Sequence, residues 1–387
     1  MTQPAILAGS PQPAAGASQA PARPKAAAES QTAPPLQVMS ETTPTRLWND
    51  SATPGELSQA IGWGAVGATC NPVIALAALQ ADPETWRARI RDYARTAPRI
   101  TESEIGWQMV RRLSVESAAL LEPIFHAHQG RNGRLSIQTD PRLHRDGTAI
   151  VEQAIEFNRL APNMIVKIPA TQTGVAAIEE ATYRGVSINA TVSFTLPQAL
   201  AVAEAVERGL RRREAEGLDV ATMGPVCTIM VGRLDDWLKV VAERRGITVD
   251  PGILEWCGVA VFKKAYRIYR ERGYRTRLLS AAFRNHMHWS QLIGGDVVIS
   301  PPFAWQARLN ASGIEPIPRM DDPVAPHVVE SLYANFAEFR HAYDEDGLAV
   351  EQFATYGATR RTLRQFLAAC ADLEGLVRDV VIPDPDE

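Results

Sequence analysis

Residues 163–170 read "NMIVKIPA", a stretch that is apolar throughout its centre except for Lys167. A short run that is apolar on both faces is typical of a strand in a parallel sheet covered by helices. The chain has only five lysines in 387 residues, and a buried ammonium group is costly. We therefore interpret 163–170 as a buried strand that carries a functional lysine.

Seven further stretches of this kind alternate with long amphipathic, helix-like stretches. The eight predicted strands are residues 45–50, 64–71, 134–139, 163–170, 186–194, 224–231, 275–282 and 296–302. Buried strands that alternate with helices indicate repeated βα units, and eight such units match the size of a closed (β/α)8 TIM barrel. An open doubly wound sheet is the alternative, but no G-x-G-x-x-G follows the first strand.

The two ends of the chain differ from this central region. Residues 1–42 are rich in Ala, Pro, Ser and Gln, a composition that cannot bury enough apolar surface to fold, and we predict a disordered tail. The last 70 or so residues have helical periodicity. We therefore predict one domain over residues 43–387, an α/β barrel with extra C-terminal helices packed on it.

Composition and charge exclude several classes of protein. The formal net charge of −4 argues against nucleic acid as a partner. No stretch approaches the roughly 18–20 apolar residues of a membrane span. The four cysteines lack C-x-x-C spacing, which predicts reduced thiols and a cytoplasmic location. A homo-oligomer is compatible with the sequence.

Polar residues stand at the C-terminal ends of the predicted strands, which form the active-site mouth of such a barrel. They are Asp50, Thr69, Asn71, Gln138, Lys167, Thr171, Asn189, Thr191, Arg233, Arg284 and Ser300.

This set of side chains suits carbonyl chemistry on a phosphorylated polyol. Burial lowers the pKa of a lysine, and the neutral amine attacks a carbonyl to form a Schiff base. A carboxylate such as Asp50 can then move the proton of a neighbouring hydroxyl group. Amides and hydroxyls can hold a polyol chain, and arginines bind phosphate.

Each residue also has a structural interpretation. Lys167 is compatible with an edge strand whose ammonium reaches solvent, and Asp50 with a cap of the following helix. Asn71 precedes a proline and is compatible with a turn. Arg233 in "GRLDDW" is compatible with an ion pair to either of the next two aspartates.

Several segments together resemble the transaldolase family. "NMIVKIPATQTGVAAI" resembles the segment around the family's Schiff-base lysine, "TRLWND" its first strand with the catalytic aspartate, and "GATCNP" its T-x-N-P segment. "SINATVSFTLPQA" resembles the fifth-strand motif, and "VGRLDDW" and "AAFRN" the two segments with phosphate-binding arginines. The order holds over roughly residues 45–310.

The resemblance implies a (β/α)8 barrel without metal or organic cofactor that acts on sugar phosphates. Such enzymes pass a dihydroxyacetone unit from a ketose phosphate to an aldose phosphate, a reaction of the pentose phosphate pathway. The implied roles are Lys167 as nucleophile, Asp50 as acid and base, Asn71 and Asn189 as ligands of donor hydroxyls, Thr191 as a ligand of the catalytic water, and Arg233 and Arg284 as phosphate ligands; Thr69 and Ser300 are further candidate substrate ligands.

Three positions depart from the family pattern. The usual third-strand glutamate is Gln138, which is also the residue of the related fructose-6-phosphate aldolases. Met230 replaces the sixth-strand aromatic residue, and Ala282 replaces a serine beside the second arginine. Asp140, two residues after Gln138, is a hypothetical substitute for the glutamate. The departures keep two alternatives open: a Schiff-base aldolase or specialised aldol transferase, and a non-catalytic sugar-phosphate-binding barrel.

Two H-x-H pairs, His126/His128 and His286/His288, have the spacing of metal ligands on a strand. The first precedes a Gly-rich turn and the second opens a helix, so we do not expect a metal site.

Overall fold

The computed structural model describes residues 33–386. Eight parallel strands form a closed barrel in the order of the sequence, and β8 pairs with β1 to close it. The strands are β1 Arg46–Asn49, β2 Ala65–Thr69, β3 Arg134–Gln138, β4 Met164–Pro169, β5 Ile188–Ser193, β6 Val226–Ile229, β7 Arg277–Ala281 and β8 Val298–Ser300. The predicted (β/α)8 barrel is confirmed, and each predicted strand contains an observed one.

Sixteen α-helices in the described part of the chain surround and extend the barrel. They are α1 Pro35–Thr42, α2 Pro54–Gly62, α3 Pro72–Ala81, α4 Pro83–Thr96, α5 Glu102–Ala127, α6 Gly147–Asn158, α7 Gln172–Tyr183, α8 Leu196–Ala215, α9 Val231–Arg245, α10 Pro251–Leu254, α11 Cys257–Arg272, α12 Met287–Ser290, α13 Phe303–Asn310, α14 Pro326–Asn335, α15 Ala337–Tyr343 and α16 Gly357–Val381. Two 3-10 helices span Pro141–Leu143 and Val350–Thr355.

The strand ends are set by the helix caps that follow them. The second strand was predicted to reach residue 71 but ends at Thr69, because the Asn71 side chain accepts hydrogen bonds from the first turn of α3. Thr171 likewise accepts a hydrogen bond from Gly174 N at the start of α7. These polar residues therefore fix where the chain leaves these two strands.

The barrel interior contains a small apolar cluster below the mouth. Trp48, Ile165, Leu279 and Val298 belong to it and are fully buried. Trp48 lies directly against Gly67, where a β-carbon would come within 2.4 Å of the indole ring. The absence of a side chain at Gly67 thus makes room for the largest residue of the interior.

The predicted C-terminal helices pack on the barrel. The long helix α16 contacts α3, α4 and α5, and it also contacts α9. Its buried face includes Phe366, Leu373 and Val377. This position brings α16 to the side of the barrel from which α9 presents Arg233.

The N-terminal boundary of the domain differs from the prediction. Residues 35–42, assigned to the disordered tail from composition, form α1, whose Leu36 and Met39 are fully buried. The indole nitrogen of Trp289 lies 3.2 Å from the sulfur of Met39. The composition of residues 1–42 is dominated by the Ala/Pro-rich part before residue 35, and this masked the apolar pair. Residues 1–32 of the predicted tail lie outside the described residues.

In residues 33–386, no helix combines the length and the apolar character needed to cross a membrane. All four cysteines are free and buried.

The packing of α1 generates a stability prediction. Met39→Ala removes a buried side chain and is expected to lower the free energy of unfolding by about 2–5 kcal/mol. Glu41→Ala, an exposed position on the same helix, is expected to change it by less than about 0.5 kcal/mol. Urea unfolding followed by circular dichroism measures both. Equal stability of the two variants would show that α1 does not contribute to the folded domain.

Candidate active site

Lys167 lies in the middle of the barrel wall. Its strand β4 is paired on both sides, with Gln138 of β3 and Asn189 of β5 directly beside it. The Asn189 side chain on β5 donates a hydrogen bond to Ser136 on β3, and this bond passes across the inner face of β4, which lies between them. These side chains therefore point into the barrel. Lys167 is only 3% exposed. The edge-strand interpretation is therefore excluded.

Burial is the main electrostatic influence on Lys167. It lowers the pKa of the ammonium group, because the charged form loses its hydration. The charge of Asp50 opposes this shift, and the charge of Arg233 adds to it. Lys167 is therefore biased towards the neutral amine, the form that reacts with a carbonyl.

Asp50 is the carboxylate of the mouth. Its backbone N donates to Pro301 O at 3.2 Å, and its Oδ1 accepts a hydrogen bond from Thr69 Oγ1. The following helix α2 has Thr53 at its N-cap, so Asp50 does not cap it. Thr69 thus orients a carboxylate whose charge acts on Lys167.

The two asparagines are partly occupied by the protein. Asn71 Oδ1 caps α3, so its side chain has a structural role as an N-cap instead of the expected turn. Asn189 Nδ2 donates to Ser136 Oγ at 3.0 Å, and its Oδ1 accepts from Thr228 Oγ1 at 2.7 Å. An amide nitrogen has two hydrogens, so Asn71 and Asn189 each retain at least one N–H that can be donated to a ligand.

Three buried side-chain oxygen atoms of the predicted site have no hydrogen-bond partner within the described residues. They are Gln138 Oε1, Thr191 Oγ1 and Ser300 Oγ. Buried polar groups are normally paired with protein, water or ligand, because an unpaired one costs free energy. All three belong to strands of the barrel, where a polar ligand or water at the mouth can pair with them.

Arg233, near the start of α9, is held by the C-terminal helix. Its Nη1 donates to Gln365 Oε1 at 2.5 Å and to Thr362 Oγ1 at 3.3 Å. Burial, followed by the nearby charge of Arg284, lowers the pKa of Arg233 to about 10. The proposed ion pair with the next two aspartates is wrong, since both partners are uncharged residues of α16.

Arg284, after β7, pairs with Asp236 of α9 at 2.9 Å. Its backbone N donates to His288 Nδ1 at 3.0 Å, so His288 Nε2 carries the ring proton and donates to Asp235 Oδ2 at 2.8 Å. His288 and Asp235 are fully buried. Asp235 also accepts from Gly258 N, which ties the Arg284 loop to α9 and α11.

One hypothesis from the sequence is corrected by these contacts. Asp140 does not substitute for a catalytic glutamate, because Arg142 binds both of its carboxylate oxygens from outside the barrel. The two members of each H-x-H pair contact different partners. His126 contacts Glu122 and His128 contacts Asn132. His286 contacts Ser290 and His288 contacts Asp235. No cluster of metal-ligating side chains occurs among residues 33–386.

Sequence analysis missed the residues that support the site from behind. Thr362 and Gln365 lie 129 and 132 positions after Arg233, and only the amphipathic pattern of α16 was visible in the sequence. Gln198 belongs to the segment that resembles the fifth-strand motif, but the pattern assigns it no role. Its amide bonds Ala170 O and Val192 O, and it accepts from Phe194 N, so it clamps the ends of β4 and β5 together.

The fold and this arrangement define the class: a (β/α)8 barrel with a buried lysine, a carboxylate and two arginines at its mouth. The family model for transaldolase/fructose-6-phosphate aldolase matches residues 47–376, and the chain belongs to this family.

Individual relatives agree with this assignment. A transaldolase of Thiobacillus denitrificans is 30% identical over 325 residues, which cover 76% of this chain and 87% of the relative. Transaldolase 1 of Streptomyces avermitilis is 33% identical over 223 residues, 57% of this chain and 58% of the relative. A transaldolase of Kocuria rhizophila is 31% identical over 59% of this chain and 66% of the relative. The chain thus spans less than two thirds of the last two relatives.

The charges around Lys167 predict opposite pH shifts in two variants. Asp50→Asn removes a charge that raises the lysine pKa, so reaction of the amine should begin at lower pH. Arg233→Met removes a charge that lowers this pKa, so reaction should begin at higher pH. Reductive methylation with formaldehyde over a pH series, read by peptide mass mapping at Lys167, measures both.

Lys239, which pairs with Glu255, serves as the internal control in the same peptide maps. The dependence of Lys239 methylation on pH should not differ between the variants. Shifts of Lys167 in the same direction in both variants would contradict this account of its electrostatics.

Proposed function

We propose that this protein is a transaldolase-type transferase that moves a dihydroxyacetone unit from a ketose phosphate to an aldose phosphate through a Schiff base on Lys167. The observation that carries the proposal is the buried, pKa-lowered amine beside Asp50, in a chain that belongs to the transaldolase family. A role in the pentose phosphate pathway and a cytoplasmic location are part of the same proposal.

The chemistry follows from these two groups. The amine of Lys167 attacks the C2 carbonyl of the donor, water leaves, and an iminium ion forms. Asp50 takes the proton of the C4 hydroxyl, the C3–C4 bond breaks, and its electron pair enters the iminium to give an enamine. The first aldose leaves. The enamine carbon attacks the acceptor aldehyde, Asp50 returns the proton, and water releases Lys167.

The surrounding residues supply binding and orientation. The remaining amide hydrogens of Asn71 and Asn189 can hold donor hydroxyls. The unpaired Thr191 Oγ1 and Gln138 Oε1 can orient the water that enters and leaves. Arg233 retains an unpaired buried Nε, and with Arg284 it can bind the phosphate.

Gln138 favours a second candidate, a Schiff-base aldolase or specialised aldol transferase. It lies beside Lys167 in the strand register, and an amide can orient water but cannot exchange a proton with it. Release of free dihydroxyacetone requires a proton on the enamine carbon, whereas transfer places the acceptor aldehyde on that carbon. The two reactions therefore differ in their need for a proton-exchanging group. A non-catalytic barrel that only binds sugar phosphates is the third candidate, and it predicts no covalent adduct.

Trapping the intermediate tests the proposal. Borohydride reduction in the presence of fructose 6-phosphate should leave a three-carbon adduct on Lys167, found by peptide mass mapping. Lys167→Met should lose the adduct and the turnover and remain folded, whereas Lys239→Met should retain both. Strict dependence of turnover on erythrose 4-phosphate supports transfer, and release of free dihydroxyacetone supports the aldolase.

Both enzymatic candidates would be excluded if the adduct formed on another lysine, or if no adduct formed with any of several ketose phosphates. Binding of the same sugar phosphates without an adduct would then support the non-catalytic barrel.

Gln138→Glu gives a two-part prediction. A carboxylic acid can exchange protons with the catalytic water, so the maximal rate of transfer should rise by about tenfold or more. A carboxylate beside Lys167 also stabilises the ammonium form, so the acid limb of the rate profile should move to higher pH. Steady-state rates with fructose 6-phosphate and erythrose 4-phosphate over a pH series measure both effects.

Gln138→Ala is the control, and it should lower the rate without the shift to higher pH. An unchanged maximal rate in Gln138→Glu would show that no proton-exchanging group is needed at this position.

A further inference from the structure

A cavity of about 800 Å³ lies between α9 and α16, outside the barrel mouth. Neither Lys167 nor Arg233 or Arg284 lines it. We call it the arginine groove, because four arginines line it together with Trp237 and Tyr356. The four are Arg244, Arg360, Arg361 and Arg364.

The four arginines have no carboxylate within 4.0 Å in the part of the chain that the structure describes, and all four are exposed. The arginine-rich face of α8 is different, because Arg208 and Arg212 pair with Glu179 and Glu180. The one carboxylate in the wall of the arginine groove, Glu338, is paired with Arg245. The positive charge of the groove is therefore not neutralised by the protein.

The arrangement on α16 carries a cost. Arg360 and Arg364 are four residues apart, and Arg361 and Arg364 are three apart, so like charges face each other on one helix. Such pairs destabilise a helix. An anion between them converts this repulsion into attraction, and it is the simplest partner for three guanidinium groups on one face.

The start of α16 adds to the positive potential. The helix begins at Gly357 in the wall of the groove, with no acidic residue in its first turn and no side-chain cap. Gly357 packs on Trp237, where a β-carbon would come within 1.9 Å of the ring. The positive end of a 25-residue helix is thus held beside the arginines.

The groove is next to the candidate active site without being part of it. Arg233, Trp237, Val240 and Arg244 recur at helical spacing along one face of α9. The charge of Arg361 is also among the influences that lower the pKa of Arg233. The groove therefore lies further along the same face of α9 that carries Arg233.

We propose that the arginine groove is a second anion-binding site, which takes a small molecule with two or more phosphate groups. Its volume is in the range of small-molecule sites, and guanidinium groups bind phosphate oxygens in pairs. A nucleoside polyphosphate and a sugar bisphosphate present the same chemistry. Nucleic acid fits less well, because the protein carries a net charge of −4 and its other arginine-rich helix face is neutralised by carboxylates.

The test compares two double variants that remove the same charge. Arg360→Ala/Arg364→Ala changes the groove, and Arg99→Ala/Arg211→Ala changes two exposed arginines elsewhere. Calorimetric titrations with pyrophosphate, ATP and fructose 1,6-bisphosphate at low salt measure binding. We expect the groove variant to bind the tightest of these probes about tenfold or more weakly than the unaltered protein, and the control to remain within about twofold.

Arg233→Ala separates the groove from the active site. Its affinity for the same probe should stay within about threefold of the unaltered protein, whatever the enzymatic activity. Tighter binding of ATP than of pyrophosphate identifies a nucleotide site, and equal binding identifies a polyphosphate site.

Three results overturn the proposal: no binding of any probe by the unaltered protein at millimolar concentration, loss of binding in Arg233→Ala, or an equal loss in both double variants. Thermal unfolding of each variant shows that it is folded before its affinity is interpreted.

Discussion

The burial of Lys167 is the constraint on which the rest of the site depends. An ammonium group inside a barrel loses its hydration, and this favours the neutral amine. The closed sheet makes the burial possible, because β3 and β5 pair with both edges of β4 and keep water from the strand. The charge of Asp50 opposes this shift, so the pKa of Lys167 is set by burial, which lowers it, and by Asp50, which raises it. Gln138, neutral at the adjacent position, adds no charge that would restore the ammonium form.

The side chains at the mouth are held in position by hydrogen bonds from residues around them. Val192 has a φ of 53°, a costly conformation for a β-branched residue, where the pairing of β5 with β6 is irregular. Gln198 binds the carbonyl of Val192 and stabilises this bulge, next to Thr191. His288 and Asp235 hold the backbone of Arg284 in the same manner. Strain and buried polar pairs are thus concentrated around the candidate active site.

The sequence was sufficient for the barrel and for the lysine, because both depend on local patterns. Apolar runs on both faces predicted the strands, and the rule that strand ends form the mouth located Asp50, Gln138 and Asn189. Contacts between distant segments were not predictable in this way. Nothing local indicates that α16 binds Arg233, or that the H-x-H spacing of His288 serves a hydrogen bond to Asp235. The start of the domain at α1 was not predicted, because the average composition of residues 1–42 hid the apolar residues Leu36 and Met39.

The two arginines of the mouth differ in how much charge they offer a phosphate. Arg284 is paired with Asp236, so a phosphate must compete with a carboxylate for it. Among the residues that the structure describes, the side chain of Arg233 forms hydrogen bonds only with the neutral side chains of Thr362 and Gln365. Burial, followed by the charge of Arg284, lowers its pKa to about 10. A dianion at the mouth relieves the repulsion between the two arginines and replaces lost hydration around Arg233. The absence of a serine hydroxyl at Ala282 should affect phosphate binding less, because a neutral hydrogen bond contributes less than an uncompensated guanidinium group. In the proposed transferase we therefore expect Arg233 to carry most of the attraction for phosphate, and α16 to determine where that attraction is directed.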